Sequence, residues 1–308
     1  VPITISGVFR RDRFTDEGSV IAGARAVGTG VVRAPVAAGG SGGAITHGRE
    51  MTAVNTGHTA YFDSGLGRNV VDGDLTVHNS TMAASDFGAN GVTITKRWFK
   101  SGLVMDRTNV TLTACRFDEG VSGYYSGTHR QFTLNWCTVD PPGAAQDDGI
   151  HYQDYTAYRC RIGGCSDGAK INGGCTLVEC YILVKGQDSA DHNDGLQAVG
   201  SYTGNTVQRC WIDTRPTNGI GAPNAALFAA DSSNGLQIWQ DNWLAGGGYV
   251  IRCHEDSTYQ VTGNDLLNNS WAFGPVSRAV IPQSNITAWS NNRIVDGSGN
   301  FVSNVSIP

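Results

Sequence analysis

One short segment returns nine times between residues 75 and 294, and this return limits the fold more than any other feature. The copies read LTVHNSTM, VTLTACRF, FTLNWCTV, YTAYRCRI, CTLVECYI, NTVQRCWI, QIWQDNWL, YQVTGNDL and TAWSNNRI. Each holds a small or polar anchor: Ser80, Cys115, Cys137, Cys160, Cys180, Cys210, Asn242, Asn264 and Asn292. Two positions on stand Met82, Phe117, Val139, Ile162, Ile182, Ile212, Leu244, Leu266 and Ile294. Three positions before stand Val77, Leu112, Leu134, Ala157, Leu177, Val207, Trp239, Val261 and Trp289. Successive anchors lie 20 to 35 residues apart. A core repeat with irregular insertions is the pattern of a solenoid with loops on one side.

The repeated residues are β-branched and aromatic with local alternation, so they read as strands. The expected fold is all-β: a single-stranded parallel β-helix, one turn per repeat, with the anchors stacked inside about 4.8 Å apart. The competing arrangement is an antiparallel sandwich. Asn90–Gly91 and Asn234–Gly235 are hairpin dipeptides, but such pairs do not fall between every two strands. Only Asp16 to Val27 looks helical, with acidic residues at its start. Residues 1 to 44 lie outside the repeat and read as an N-terminal cap or attachment segment, and residues 45 to 308 as the β-helix domain. The short polar C-terminus from Asp296 is expected to cover the far end.

Composition narrows the class further. There are 41 glycines in 308 residues and only 16% charged residues, which excludes coiled coils and long helical arrays. The net charge of −5 lacks the basic face that nucleic acid requires. No apolar run is long enough to span a membrane as a helix, and Val1 to Arg13 lacks the apolar core of a signal peptide. Five of the eight cysteines hold one repeat position, so they read as buried packing thiols rather than disulfides. That favours folding in a reducing compartment. The absence of a C-x-x-C pair argues against structural zinc.

A second phrase also recurs. Asp148–Gly149–Ile150–His151 is followed by Asp167–Gly168–Ala169–Lys170 and then by Asp194–Gly195–Leu196–Gln197. Stacked, these give one column of Asp148, Asp167 and Asp194 and another of His151, Lys170 and Gln197. Asp-Gly is also an ordinary turn dipeptide, so the aspartates have a structural reading beside a functional one. The glycines are expected to permit a tight turn or a positive φ. Residues three apart in a strand face opposite ways, so a bend at the glycine is needed to bring both columns to one groove. Insertions cluster beside them, at Lys185 to Asn193 and Thr214 to Asn224.

The runs DGAKINGGCTLVECYI, HNDGLQAVGSYTGNTVQRCWI, NAALF, NWLAGGGYVI and NSWAFGPV resemble right-handed parallel β-helix proteins of the pectate-lyase-like superfamily, in particular uncharacterised actinobacterial members. The resemblance covers roughly residues 70 to 300. Related β-helices occur as phage tail spikes and adhesins. It implies a right-handed coil that recognises a polysaccharide in a groove, often with lyase or hydrolase chemistry. It also implies an extracellular or virion-associated setting, with a homotrimer or larger virion assembly as one outcome and a non-catalytic glycan-binding adhesin as the alternative function.

Lyase chemistry on an acidic sugar needs a cation for the carboxylate, a base for the C5 proton and an acid for the leaving oxygen. Lys170 is the first candidate for base or charge neutraliser, depending on whether burial or its neighbours Asp167 and Asp194 dominate. His151 and His192 are alternative proton carriers. Arg209, Arg215 and Arg252 could pair bidentately with substrate carboxylates, beside Gln197. Tyr124, Tyr125 and Tyr202 are candidate sugar-stacking surfaces, with Trp211, Tyr249, Trp271 and Phe273 also available. A glycosidase would instead use Asp167 with Asp194, or with Asp148. The Asn-Thr-Asp, Gly-His-Gly and Arg-Ile-Lys segments of polygalacturonases are absent. Calcium among Asp188, Asp191 and Asp194 is a further option, without a defined loop motif.

Overall fold

In the computed structural model the described residues are 45–142, 146–151, 153–198, 204–229, 235–277 and 281–307. The expected cap (residues 1–44), with its candidate helix, lies outside them. The described chain is all-β, with five one-turn 3₁₀ segments and no α-helix. No helix is long and apolar enough to cross a membrane.

A nine-stranded sheet from Thr93–Thr95 to Ile286–Ser290 is parallel throughout, each strand pairing with its counterpart in the next repeat. Its register places Ile94, Leu112, Leu134, Ala157, Leu177, Val207, Trp239, Val261 and Trp289 in one column. In a seventeen-stranded sheet, Phe99, Phe117, Val139, Ile162, Ile182, Ile212, Leu244, Leu266 and Ile294 form the matching column. Both columns belong to one apolar core. Long parallel sheets of this kind are compatible with a solenoid. The antiparallel sandwich is not what forms: among the described residues antiparallel pairing is confined to two short hairpins, the closing pair Arg293–Val295 with Phe301–Asn304, and an isolated bridge.

The anchors lie between the two sheets, and their chemistry explains why asparagine can succeed cysteine there. The Cys137, Cys160, Cys180 and Cys210 thiols donate to the carbonyls of Leu112, Leu134, Ala157 and Leu177 at 3.5–3.6 Å. Further along, Asn242, Asn264 and Asn292 make the equivalent bond from Nδ2 to Val207, Trp239 and Val261 at 2.8–3.0 Å. The asparagines add a ladder of their own, with Asn264 Oδ1 accepting from the backbone and side chain of Asn242. All eight thiols are free and buried.

Two expectations change. The first segment, LTVHNSTM, is out of register. Thr76–His78 pairs with Arg97–Phe99, Met82 pairs with Leu103, and Ile94 takes the place expected of Val77. Burial decides it, since Ile94 is 2% exposed and Val77 42%. The residue before seven of the nine anchors also has an unforeseen role. Ala114, Trp136, Arg159, Glu179, Arg209, Asp241 and Asn291 all have φ of 50–55°. Each such residue costs about 1–2 kcal/mol in the left-handed region. The bend is held because the amide at this position finds a carbonyl in the next repeat, as from Trp136 to Tyr158 and from Arg159 to Val178.

Candidate functional site

The Asp-Gly phrases fall on β1 (Gln146–His151), the end of β2 (Arg161–Lys170) and β3 (His192–Gln197), followed by β4 (Ala222–Phe228) and β5 (Tyr249–Arg252). Neighbours in this series pair in parallel. Ile150, Ala169, Leu196, Leu227 and Ile251 align and are buried. The next residue in each strand gives the outward column His151, Lys170, Gln197, Phe228 and Arg252, in which Lys170 pairs with Gln197, Gln197 with Phe228 and Phe228 with Arg252. Ser122 continues it beyond His151.

The glycines work differently from expectation. Gly149, Gly168 and Gly195 do not have positive φ. A Cβ on Gly168 would stand 2.4 Å from the Gly195 carbonyl oxygen and 2.4 Å from Ile182 Cγ2, and Gly149 and Gly195 meet matching obstacles. Glycine is therefore required by close packing on the isoleucine column. Its missing side chain and the next residue both face inward, so strand alternation is broken there. That bend leaves each aspartate on the same side as the residue three positions on.

Lys170 is the hub. Its Nζ donates to Asp167 Oδ2 and to Gln197 Oε1 and lies 3.3 Å from Asp148 Oδ1. Asp148 Oδ2 in turn accepts from His151 Nδ1 at 2.5 Å. Burial raises the carboxyl of Asp148, yet the hydrogen bond from His151 and the nearby ammonium outweigh it and hold it below the usual range. An ionised carboxylate only accepts, so His151 Nδ1 carries the proton of this bond. Burial alone would lower Lys170, but Asp167 and Asp148 reverse the effect and raise it. The two flanking carboxylates therefore favour the charged ammonium of Lys170.

The other two carboxyls move upward. Burial pushes Asp167 up to about 6; Lys170 opposes this, and the competing charge of Asp148 adds to it. Burial, then the adjacent Asp167, takes Asp194 well above the carboxylate range. Asp167 Oδ1 accepts from the Asp194 amide at 2.8 Å. Asp194 accepts from the Ala225 amide and from Asn224 Nδ2, and Asn224 Oδ1 accepts from Arg252 at 2.6 Å. A depression of about 280 Å³ opens over this end, lined by Asp167, His192, Asp194, Gln197, Asn224, Phe228 and Arg252.

Other candidates are placed elsewhere. Arg209 lies in the left-handed column, bonded with buried Arg159 to Glu179. Arg215 grips Asp213 with Nε and a terminal nitrogen at 2.9 and 2.6 Å. Both guanidiniums already have carboxylate partners. His192 is exposed at the rim of the depression. Tyr124 is exposed on a hairpin next to His151, its ring 5.2 Å from that of His129. Tyr202 and the Tyr125 side chain lie outside the described residues. The calcium set does not assemble. Asp188 and Asp191 accept from the Ala190 and Gln187 amides within their own loop, while Asp194 faces Asn224. Among the described residues no group of three or more His, Cys, Asp or Glu is arranged to hold a metal.

Sequence reasoning missed Asn224 and Phe228. The signal was present, since Ala225–Ala226–Leu227–Phe228 repeats the phrase with alanines replacing aspartate and glycine. No protein-family model matches the sequence, and no curated protein and no solved structure matches it.

Proposed function

We propose that this chain is a right-handed parallel β-helix that binds an acidic polysaccharide along the His151–Lys170–Gln197 column and cleaves it by β-elimination. The right-handed sense follows from the strong bias of parallel crossovers. One observation carries the chemistry: Lys170 stands between a histidine–carboxylate pair and a carboxyl raised to about 6. This supplies a base, a cation and an acid side by side.

His151 Nε2 takes the proton next to the sugar carboxylate, with Asp148 fixing the ring and stabilising the imidazolium that forms. Lys170 balances the charge that develops on the substrate carboxylate as the C–H bond breaks. Asp167, protonated below about 6, gives its proton to the departing glycosidic oxygen. The C–O bond breaks as the sugar double bond forms, so no water is consumed.

Incubation with pectate, alginate and glucuronan, followed by the absorbance of the unsaturated product, tests the reading. His151→Ala and Lys170→Ala should each remove the signal. New reducing ends without unsaturation would instead assign the raised pair Asp167 and Asp194 to hydrolysis. Binding without any cleavage would leave a glycan-binding adhesin.

A further inference from the structure

Of the candidate arginines only Arg252 lines the depression, and among the described residues it has no carboxylate partner, whereas Arg209 and Arg215, placed elsewhere, each have one. The Arg252 guanidinium donates to the neutral side-chain amide of Asn224. Its guanidinium lies over the Phe228 ring, 4.6 Å from the centroid, and its Nε is buried with no partner among the described residues. The nearest acid along this path, Asp194, is raised well above the carboxylate range and reaches Arg252 only through Asn224. A positive charge with unused donors therefore lines the open depression.

Beside it is an apolar surface. Phe273 is 76% exposed and its ring is 5.7 Å from that of Tyr249. Gly248 lies beneath it, where a Cβ would come within 3.1 Å of the Phe273 ring, and the Gly248 amide donates to the Asn224 carbonyl. The aromatic pair, its rings tilted 47° to each other, is thus tied by backbone to the residue that holds Arg252. Tyr249 and Arg252 are the two ends of one short strand, so an exposed ring at one end and a guanidinium without a carboxylate partner at the other offer a sugar chain both a stacking face and an anion site.

We propose that Arg252, with Phe273 and Tyr249, forms a remote subsite for an anionic sugar, and that it makes the site select chain length. This deepens the cleavage reading and rests on it. Lys170 and Arg252 are three strand spacings apart in register, about 14 Å. One sugar ring cannot touch both, so only a longer oligomer gains from Arg252.

The test uses oligogalacturonates and oligoalginates from dimer to hexamer, sulfated chondroitin oligomers and neutral malto-oligomers. Affinity is measured in the His151→Ala protein and kcat/KM in the otherwise native one. Arg252→Ala should weaken hexamer binding about 10- to 100-fold more than dimer binding, the range expected for hydrogen bonds to a charged group. Arg252→Lys should restore part of this, and Phe273→Ala should reduce the length advantage several-fold. Preference between carboxylated and sulfated oligomers names the anion. Equal loss at all lengths, or hexamer cleavage unchanged in Arg252→Ala, overturns the subsite and leaves the cleavage reading standing. No binding of any anionic oligomer by the native protein overturns both.

Discussion

Replacing Lys170 with methionine removes the only cation that Asp148 and Asp167 share in this cluster. All three side chains are well buried, 12–16% exposed. Breaking a buried ion pair from one side costs about 3–5 kcal/mol, because the remaining charge is uncompensated. The pH dependence is the sharper part of the prediction. Without Lys170, Asp167 loses the cation that opposes burial and rises further above the unfolded value of about 3.9 in the folded state. The folded variant then binds more protons than the unfolded chain, so its stability falls as pH rises above about 4. The native protein keeps Asp148 low, and the raised Lys170 retains its contribution until pH passes its own folded value. The difference between the two proteins should therefore be full at pH ~8 and smaller near pH ~4.5, where Asp167 holds its proton in both, changing by about 1.4 kcal/mol per unit above the native Asp167 value. Urea unfolding at both pH values, followed by fluorescence of the buried Trp136 and Trp239, measures it. Adding Asp167→Asn to the variant should recover part of the loss at high pH. A loss below about 1 kcal/mol at high pH, or an equal loss at both, would refute the assignment of Lys170 as a buried counter-ion.

Five further outcomes are expected. Asn264→Ala takes away the acceptor of the Asn242 amide and the donor to the Trp239 carbonyl, so it should cost about 2–6 kcal/mol. Cys160→Ala, losing a weak thiol bond and little volume, should cost about 1–2 kcal/mol in the same urea titration. Gly168→Ala forces a methyl against Gly195 O and Ile182 and should cost about 1–3 kcal/mol or more, whereas Ala226→Gly in the matching place should cost only about 1 kcal/mol; calorimetry of the two variants compares them. In turnover, kcat/KM should fall as pH rises through about 6, because Asp167 must hold its proton. Asp148→Asn should lower activity and move that limb to lower pH, since it removes a charge that raises Asp167; a pH–rate profile with an unmoved limb would contradict this.

The polar columns were legible because the phrase Asp-Gly-x-x keeps its length while the loops between copies vary. Their chemistry was not. Whether Lys170 is a base or a cation depends on two carboxylates from two different strands, a balance that no local pattern records. The same holds for the arginines. Arg209, Arg215 and Arg252 look alike in the chain, yet only through-space pairing separates the two that already hold carboxylates from the one that does not.

The sequence by itself determined the β class, the repeat and the buried columns, because an interior position in each repeat admits only a few sizes and must offer a donor to the carbonyl behind it. The tertiary structure alone decided the left-handed bend, where Ala114, Trp136, Arg159 and Glu179 share a backbone angle and no chemistry. That angle is imposed by hydrogen bonds to the neighbouring repeat, so the side chain at the bend carries no mark of it. Pairing likewise decided that Ile94, not Val77, enters the column. Burial inside a packed column restricts residue type and leaves a trace in the chain, whereas register and charge state arise only once distant strands meet.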